Sequence, residues 1–482
     1  MLAMGGADAL VEGVSYAAAR AIGGQPLRLR NTLSGELEKF EPLNDAPVRM
    51  YSCGPTVYDR QTIGNLRGII LANTLKRTLE VWGYKVSHVS NITDVGHLVS
   101  DADEGEDKLE AAAKKMGKHT QEIAEEITAL YFADLDALGV DRKKMQFPRA
   151  TQYIEEQIAL VKTLLQKGYA YQIADGIYFD TAKFPSYGKL GGLNLSGQQV
   201  GARVEENTEK KNPHDFALWK FSKADEKREQ EWKSPWGVGF PGWHLECTAM
   251  IFKLLGKQID IHIGGEDLAP IHHNNEIAQA EAATGKTFVQ YWLHNAFITI
   301  EGKKISKSLG NTIYLTQLAD RGLNPRSLRY LYLTAHYRTP MNFTWGAVEG
   351  ADAALKRLTR TYLEMPKGKA DEVFLKEFYA AIGNDLDTPK ALALVWEHIK
   401  NLNQATLAEA DKILGLGLTE VRPRWKVAVK EEIPAEVQKL VTEREEARKN
   451  KDFARSDELR AEIEKVGFEV TDSAEGQQIR PK

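Results

Sequence analysis

Apolar positions near the start of the chain predict a strand, a helix and a second strand. Val48 to Ser52 is an apolar run followed by a turn signal, which is typical of a buried strand. From Leu66 to Trp82 the apolar residues recur with a helical period, and Gly83 ends that helix. Lys85 to Ile92 then predicts the next strand. This order indicates the first βαβ unit of an α/β fold with a parallel sheet.

Parallel sheets of this kind bind ligands beyond the carboxyl ends of their strands. The loop from Cys53 to Asn65 follows the first predicted strand, and a second loop follows the next strand after Asn91. We therefore expect the chemistry of the protein in these two loops.

The patterning of the remaining chain predicts further elements and a mainly helical carboxyl-terminal third. In chain order these are charged helices over 101–138, an amphipathic helix over 153–165, an exposed Lys/Glu-rich insertion over 180–236, a helix over 249–255, a strand over 259–263, a helical region over 347–417, and a charged helical pair over 435–466 followed by a short strand over 468–470.

Charge balance and cysteine count narrow the class of protein. The 482 residues carry 63 basic and 67 acidic side chains, and the net charge of −4 excludes a chain that coats nucleic acid by bulk positive charge. Two cysteines exclude a disulfide-rich scaffold and indicate a reducing compartment. No apolar run approaches the roughly 20 residues that span a bilayer. Because the first 24 residues carry Asp8 and Glu12 and lack a basic segment, we expect a short extension, a cytoplasmic location and no membrane partner.

A glycine-flanked loop over residues 302–311 carries three lysines and two serines. Ammonium groups on such a loop can close over a polyphosphate as pyrophosphate leaves, although a solvated basic loop has the same composition. The order Lys-Ile-Ser-Lys-Ser, followed by Leu-Gly-Asn, closely resembles the KMSKS signature of class I aminoacyl-tRNA synthetases. The resemblance implies that Lys304 and Lys307 bind ATP and stabilise the transition state of its cleavage.

The partner signature of that family lies at the first strand-to-helix turn, where a helix N-terminus receives phosphate. Thr62-Ile63-Gly64-Asn65 stands there and is similar to the HIGH motif with both histidines replaced, as in the tryptophanyl branch of the class. The resemblance implies that Gly64 lets adenine approach the backbone and that Thr62 and Asn65 hydrogen-bond ATP, which binds with Mg²⁺. From the residues alone, a chance glycine turn stays open. We expect His262, at a strand end, to line the same ATP site.

Four residues that are distant in the chain are potential metal ligands: Cys53, Cys247, His272 and Glu276. Zinc accepts two thiolates, one imidazole and one carboxylate, and the last two residues lie four apart on one face of a predicted helix. By spacing alone, two distant cysteines are more typical of core positions. The segments around them are YSCGPTVYD, GWHLECTAM and GGEDLAPIHHNNE, and they resemble, in the same order, the zinc-ligand segments of the cysteinyl-tRNA synthetase family.

That resemblance implies a zinc ion in each chain, held by these four residues, which binds the thiolate of L-cysteine. A metal–thiolate bond discriminates against serine, because a hydroxyl ionises far less readily than a thiol. The family also implies that Trp243 forms a wall of the cysteine pocket and that Asp267 accepts the α-ammonium group. A core tryptophan and a helix N-cap are the structural alternatives for these two residues. Thr56 and Asp94 lie in matching loops, and we expect them to contact the substrate.

The resemblance covers the chain from about Leu27 onwards and implies its architecture. The expected fold is an α/β, Rossmann-like class I synthetase catalytic domain with an inserted connective domain, then a helical bundle and a small anticodon-binding domain. The expected boundaries are 1–26 for the N-terminal extension, 27–145 and 241–346 for the two catalytic halves, 146–240 for the insertion, 347–420 for the bundle that contacts tRNA, and 421–482 for the anticodon-binding domain.

Three side chains near the carboxyl terminus are candidates for reading the tRNA. Arg448, Asp457 and Asp472 can form hydrogen bonds with anticodon base edges, although charged helices are usually only solvated. Phe453 either stacks on a base or anchors the two terminal helices.

Three functions fit this sequence. The first is a monomeric ligase that joins L-cysteine to cysteine tRNA at the expense of ATP. The second is the paralogous ligase that joins cysteine to an amino-sugar inositol, but that paralog lacks the terminal anticodon domain. The third is a non-catalytic RNA-binding relative, which the altered Thr62 and Asn65 favour and the intact Lys-Ile-Ser-Lys-Ser loop disfavours.

Overall fold

The computed structural model describes residues 26–96, 107–190, 207–223, 228–306, 310–420, 435–450, 452–466, 468–473 and 476–481. The predicted amino-terminal extension, except its last residue, and Lys307 lie outside the described residues. The chain forms two compact units, Met1–Leu416 and Gly417–Lys482, and the division falls close to the boundary expected at residue 420.

The first unit contains fourteen strands and twelve α-helices among its described residues. Its strands are β1 (Arg28–Asn31), β2 (Glu36–Lys39), β3 (Val48–Ser52), β4 (Val86–Ser90), β5 (Ala170–Ile173), β6 (Gly176–Phe179), β7 (Phe216–Phe221), β8 (Trp232–Ser234), β9 (Gly237–Pro241), β10 (Ile259–Gly265), β11 (Val289–Asn295), β12 (Ile298–Ile300), β13 (Lys303–Lys304) and β14 (Met341–Phe343). Its helices are α1 (Ile63–Val81), α2 (Lys108–Met116), α3 (Thr120–Ala137), α4 (Ile154–Gln166), α5 (Trp243–Leu254), α6 (Asn274–Thr284), α7 (Leu315–Asp320), α8 (Arg326–Leu333), α9 (Trp345–Glu364), α10 (Glu372–Gly383), α11 (Thr388–His398) and α12 (Gln404–Leu414).

A four-stranded parallel sheet in the order β11-β10-β3-β4 forms the centre of this unit. Ser52 pairs with both Ile263 and Ser90, and Gly265 pairs with Asn295, so the four strands end at the same edge. Helix α1 connects β3 to β4, which confirms the predicted βαβ unit. The strands are largely buried on both faces, and polar side chains such as His88, Asp260 and His262 are buried in them together with the apolar ones.

The insertion differs from the prediction of an exposed segment. Strands β5 to β9 form an antiparallel sheet in the order β5-β6-β7-β9-β8, and Leu218 and Trp219, which lie within the segment predicted to be exposed, are fully buried in it. The charged residues that dominate the composition lie in the connections between short strands. The average composition of such a segment therefore does not reveal the apolar residues that form its core.

A three-stranded sheet in the order β13-β12-β14 follows the central sheet in the chain. It carries the start of the Lys-Ile-Ser-Lys-Ser segment. Helices α9 to α12 come next and confirm the predicted helical region over 347–417. Among the helices that the structure describes, none has the length and apolarity needed to cross a membrane.

Among its described residues, the second unit contains a short 3-10 turn (Leu418–Glu420), helices α13 (Ala435–Lys449) and α14 (Phe453–Lys465), and an antiparallel hairpin of β15 (Phe468–Ser473) and β16 (Gly476–Pro481). Val437, Ile463 and Val470 form its buried core. The helical pair and the first strand confirm the prediction, whereas β16 was not predicted. Phe453 is 60% exposed and does not anchor the two helices.

Candidate functional site

A cavity of about 800 Å³ opens where the four parallel strands end. Cys53 follows β3, Asn91 follows β4, Gly265 ends β10 and Asn295 ends β11, and all four line the cavity. The site therefore lies where the chain order of a parallel sheet predicts it.

The four predicted metal ligands converge at the cavity. One donor atom from each of Cys53, Cys247, His272 and Glu276 lies within 4.8 Å of each of the others. Cys247 comes from α5, and Glu276 comes from α6. His272 lies in a π-helical turn, Ala269–His273, directly before α6, and its Nε2 atom is 3.1 Å from Oε1 of Glu276. Three of these side chains are buried, and Cys53 is partly buried.

The charges in this cluster are coupled. Burial raises the pKa of Glu276, but the neighbouring imidazoles of His262 and His272 lower it well below its usual range. Burial lowers the pKa of His272, but the Glu276 carboxylate and Cys247 raise it to about 10. The hydrogen bond to Cys53, and then burial, raise the pKa of the Cys247 thiol. Two thiols, one imidazole and one fully buried carboxylate whose donor atoms lie this close together are side chains of the types that bind zinc in proteins.

Further histidines surround the four potential ligands. Nδ1 of His244 lies 3.0 Å from Nδ1 of His272, and Nε2 of His262 lies 2.8 Å from Oε2 of Glu276. His262 has no exposed surface, so the structure places it behind the ligand cluster and not on the surface of an ATP site. Side chains that hydrogen-bond to metal-ligating residues fix the orientation of those residues. The sequence pattern singled out His262 but not His244, and it did not indicate which atoms either of them contacts.

His273 has two polar contacts. Its Nε2 atom lies 3.3 Å from Sγ of Cys53, and its Nδ1 atom lies 2.7 Å from Nε2 of His294. With Cys53 and His262 it forms a second group of donor atoms that lie within 4.8 Å of one another. His273 thus contacts Cys53 as well as a neighbouring histidine.

Three of the four predicted substrate residues line the cavity: Thr56, Trp243 and Asp267. The Trp243 ring lies 4.6 Å from the His272 ring, next to the ligand cluster. The Asp267 carboxylate is exposed, and Gly265 gives it room, since a Cβ on Gly265 would lie 2.2 Å from Oδ1 of Asp267.

Asp94 does not lie where a residue that contacts the substrate was expected. Its carboxylate accepts hydrogen bonds from the backbone N–H and the hydroxyl of Thr151, at 2.9 and 2.7 Å. It is buried and does not belong to the cavity lining, so it acts on the fold of the segment around Thr151.

The sequence pattern did not predict a line of hydrogen bonds that lies beside the four potential metal ligands. The N–H of Gly54 donates to Asn91, the Asn91 amide donates to Thr93, and the Thr93 hydroxyl donates to Glu246, over 2.8, 2.9 and 3.2 Å. Gly54 follows the potential ligand Cys53, and Glu246 precedes the potential ligand Cys247. The line thus connects the two segments that carry the thiols. A parallel-sheet prediction marks the loop after Asn91, but only the tertiary structure shows its partners.

The Thr62-Ile63-Gly64-Asn65 segment begins helix α1. Thr62 is the N-cap residue, and both its N–H and its hydroxyl donate to Oδ1 of Asn65, at 3.1 and 2.7 Å. The first turn of a long helix presents unpaired N–H groups and the positive end of the helix dipole, which favours phosphate. Thr62, Gly64 and Asn65 all line the cavity.

The described part of the Lys-Ile-Ser-Lys-Ser segment faces the same cavity. Lys304 in β13 is exposed and belongs to the cavity lining. Asn311 joins both ends of the loop: it accepts from the N–H of Ser306 at 2.8 Å and donates to the carbonyl of Lys304 at 3.0 Å. One asparagine side chain therefore fixes the chain on either side of Ile305.

Comparison with protein families agrees with this geometry. The family described as tRNA synthetases class I (C) catalytic domain matches residues 39–353, and the one described as Cysteinyl-tRNA ligase anticodon binding domain matches residues 430–480. Cysteine–tRNA ligase 1 of Burkholderia lata is 46% identical over 461 residues, which are 94% of this chain and 97% of the relative. The cysteine–tRNA ligase of Treponema denticola is 38% identical and covers 93% and 98%.

The chain belongs to the cysteine–tRNA ligase family.

Solved structures of other class I synthetases share the fold of this cysteine–tRNA ligase family member. Mycobacterium tuberculosis methionyl-tRNA synthetase in complex with methionyl-adenylate has a TM-score of 0.51 at 15% identity and covers 78% of this chain and 83% of its own. A LeuRS–tRNA–LeuAMS complex from Agrobacterium radiobacter K84 has a TM-score of 0.56 at 11% identity and covers 79% and 84%. The predicted α/β class I synthetase fold is thereby confirmed.

The predicted anticodon-reading residues lie in the segment that matches the family's anticodon-binding domain. Arg448 on α13 and Asp457 on α14 are exposed. Asp472 lies in β15, opposite Gln477 in β16. Their assignment to the anticodon stays a prediction.

Proposed function

We propose that this protein is a cysteine–tRNA ligase that activates L-cysteine with Mg²⁺-ATP and transfers it to the 3′ end of cysteine tRNA. One observation supports this most: donor atoms of two thiols, an imidazole and a carboxylate lie within 4.8 Å of one another beside the cavity that Thr62, Gly64, Asn65 and Lys304 also line. The family membership and its relatives, which are named cysteine–tRNA ligases, support the same activity.

The donor set fits zinc. Cys53, Cys247, His272 and Glu276 would hold the ion, and His244 and His262 would orient the imidazole and the carboxylate. When bound, zinc supplies a soft Lewis acid that accepts the thiolate of cysteine and does not accept a neutral hydroxyl. Apolar pockets separate near-isosteres by only about 10 to 200-fold, so selection through sulfur removes the need for an editing site.

In the first step an oxygen of the cysteine carboxylate attacks the α-phosphorus of ATP, and the bond to pyrophosphate breaks. No enzyme nucleophile is needed, because the carboxylate is already ionised. Asp267 would bind the α-ammonium group, and Trp243 and Thr56 would form walls around the amino acid. The protein contributes position and charge.

The nucleotide would lie between the two signatures. Thr62, Gly64 and Asn65 would hold the α-phosphate and ribose at the start of α1, and Lys304 and Lys307 would stabilise the departing pyrophosphate. These groups act before and during bond cleavage, and none of them accepts a proton from the substrate.

In the second step a hydroxyl of the terminal tRNA ribose attacks the carbonyl carbon of the adenylate, loses its proton, and AMP leaves. Arg448, Asp457 and Asp472 would select the tRNA at its anticodon. A cytoplasmic location and a monomeric state belong to the same proposal.

Pyrophosphate exchange tests the first step. The purified protein should exchange labelled pyrophosphate into ATP with cysteine and not with serine, and Cys247→Ala should abolish the exchange. Absence of exchange in the zinc-loaded protein would reject both ligase functions and leave the RNA-binding relative.

The acceptor then decides between the two ligases. Transfer of labelled cysteine to a cysteine tRNA transcript supports the proposal, and transfer only to an amino-sugar inositol supports the paralog. The match of residues 430–480 to a tRNA anticodon-binding domain favours the first result.

A further inference from the structure

Arg67 is a buried residue of helix α1, the helix that begins at the proposed nucleotide site. It lies on α1, five positions after Thr62 and two after Asn65, and only 2% of it is exposed. It does not line the cavity. Because a buried guanidinium is costly unless its N–H groups are paired, its partners indicate what it does.

The guanidinium donates to four backbone carbonyls. Nη1 donates to Ala296 at 2.8 Å and to Phe297 at 3.2 Å. Nη2 donates to His336 at 3.1 Å and to Thr339 at 2.8 Å. A single side chain thus joins helix α1 to two separate segments.

Both segments lead into the sheet that carries Lys304. Residues 296–297 directly precede β12, and residues 336–339 precede β14. The two strands pair in parallel from Ile298 and Met341 onwards, and β13 pairs with β12 so that Lys304 lies opposite Thr299. The Arg67 guanidinium therefore lies at the start of this three-stranded sheet.

The segment over residues 336–339 also forms hydrogen bonds with Asp385. Asp385 accepts from the Tyr337 hydroxyl at 2.7 Å and from Nε of Arg338 at 2.8 Å. Arg67 therefore binds to a turn whose side chains are also hydrogen-bonded to Asp385.

We propose that Arg67 is a positioning residue for adenylate formation: it fixes the first turn of α1 relative to the strand that carries Lys304. This proposal rests on the proposed function, because it takes both elements as the two sides of one ATP site. Arg67 acts through Thr62, Asn65 and Lys304 and touches no substrate. A lysine cannot replace it, because a single ammonium group cannot reach carbonyls on both segments in the planar arrangement of a guanidinium.

Arg77 provides a matched control on the same helix. Its Nη1 donates to the carbonyl of Lys412 at 3.1 Å, its Nη2 to the carbonyl of Gly139 at 3.0 Å, and its Nε to Asn73 at 3.0 Å. It therefore also ties α1 to neighbouring backbone, but not to the sheet that carries Lys304.

The experiment compares the full-length wild type with Arg67→Met, Arg67→Lys and Arg77→Met. Calorimetry with Mg²⁺-ATP measures equilibrium binding, cysteine-dependent pyrophosphate exchange gives KM and kcat for ATP and KM for cysteine, and metal analysis gives zinc content. We expect kcat/KM for ATP to fall by about 10 to 100-fold in both Arg67 variants, with a raised KM for ATP, because small displacements of positioning groups cost that much. Zinc content and KM for cysteine should remain within about twofold of wild type.

A purely structural role predicts a different result. Partial unfolding lowers kcat through the fraction of active protein, leaves KM for ATP unchanged, and affects Arg77→Met equally. That result, or wild-type ATP parameters in a folded Arg67 variant, would overturn the proposal. If Arg67→Met does not fold, Arg67→Lys decides by the same criteria. If the wild type binds ATP but shows no exchange, the proposed function fails while the binding constants still decide the role of Arg67; if it binds no ATP, both proposals fail.

Discussion

Gly64 and Ile305 bring the two nucleotide signatures into contact. A Cβ atom on Gly64 would lie 2.8 Å from Cδ1 of Ile305, closer than side chains pack without a shift. The lack of a side chain at Gly64 thus leaves room for the tip of the Ile305 side chain, apart from any contact with adenine.

A change of Gly64 to alanine tests this relationship. We expect Gly64→Ala to lower kcat/KM for ATP in pyrophosphate exchange by no more than about tenfold, since the new methyl group displaces the tip of the Ile305 side chain. Adding Ile305→Ala removes the atom in the way and should restore part of the loss. A double variant as impaired as Gly64→Ala would mean that the methyl group blocks the nucleotide itself.

Asn311 should be required for fast adenylate formation, because it holds both sides of Ile305. Asn311→Ala removes both hydrogen bonds, and we expect kcat of the exchange to fall roughly 10-fold with unchanged zinc content. Asn311→Asp keeps an acceptor for the Ser306 N–H and loses the donor to the Lys304 carbonyl. It should therefore give an intermediate rate, and equal rates for the two variants would argue against the two-sided clamp.

Thr93 should affect cysteine more than ATP. Thr93→Val removes the hydroxyl that joins Asn91 to Glu246, and we expect KM for cysteine to rise about tenfold, since a buried hydrogen bond of this kind is worth ~1–3 kcal/mol when one partner is left unpaired. Thr93→Ser keeps the hydroxyl and serves as the control. Equal KM values for cysteine in wild type and Thr93→Val would show that this line of hydrogen bonds does not position the site.

Cys247 should be needed for metal retention itself. We expect the wild type to purify with about one zinc ion per chain, and Cys247→Ser to lose most of it on dialysis, because a hydroxyl is a poor zinc ligand at neutral pH. Thr248→Ser changes the next, fully buried residue and should leave zinc content unchanged. Full zinc occupancy in Cys247→Ser would place the metal elsewhere.

Arg448 should affect tRNA transfer and leave adenylate formation unchanged. We expect Arg448→Ala to raise KM for cysteine tRNA roughly 5 to 100-fold, the range of one base contact, while exchange stays at the wild-type rate. Arg460→Ala is the matched control. Arg460 is exposed on α14, and its Nε atom lies 3.5 Å from Oε1 of Glu464 in the same helix. The same KM for tRNA in both variants would remove Arg448 from the anticodon contacts.

The local secondary structure and the position of the site could be predicted from the sequence. The apolar run at Val48–Ser52 and the helical period after Leu66 depend only on nearby residues, so they predicted β3 and α1 correctly. The position of the cavity followed as well, because strands of a parallel sheet end at one edge. The insertion was mispredicted, since its buried strands are short and their charged connections dominate its composition.

Contacts between distant segments were decided by the tertiary structure. The sequence indicated Cys53, Cys247, His272 and Glu276 as candidate metal ligands. Only the packing of α5 and α6 near the end of β3 brings their donor atoms within 4.8 Å of one another. The same packing buried His262 and Asp94 and gave them partners that spacing does not show. Arg67 carried no signal at all, because periodicity places it on a helix but does not reveal that four carbonyls converge on its side chain. Which residues carry chemistry is a local property of the sequence, whereas which atoms meet depends on the order of the strands and on close packing.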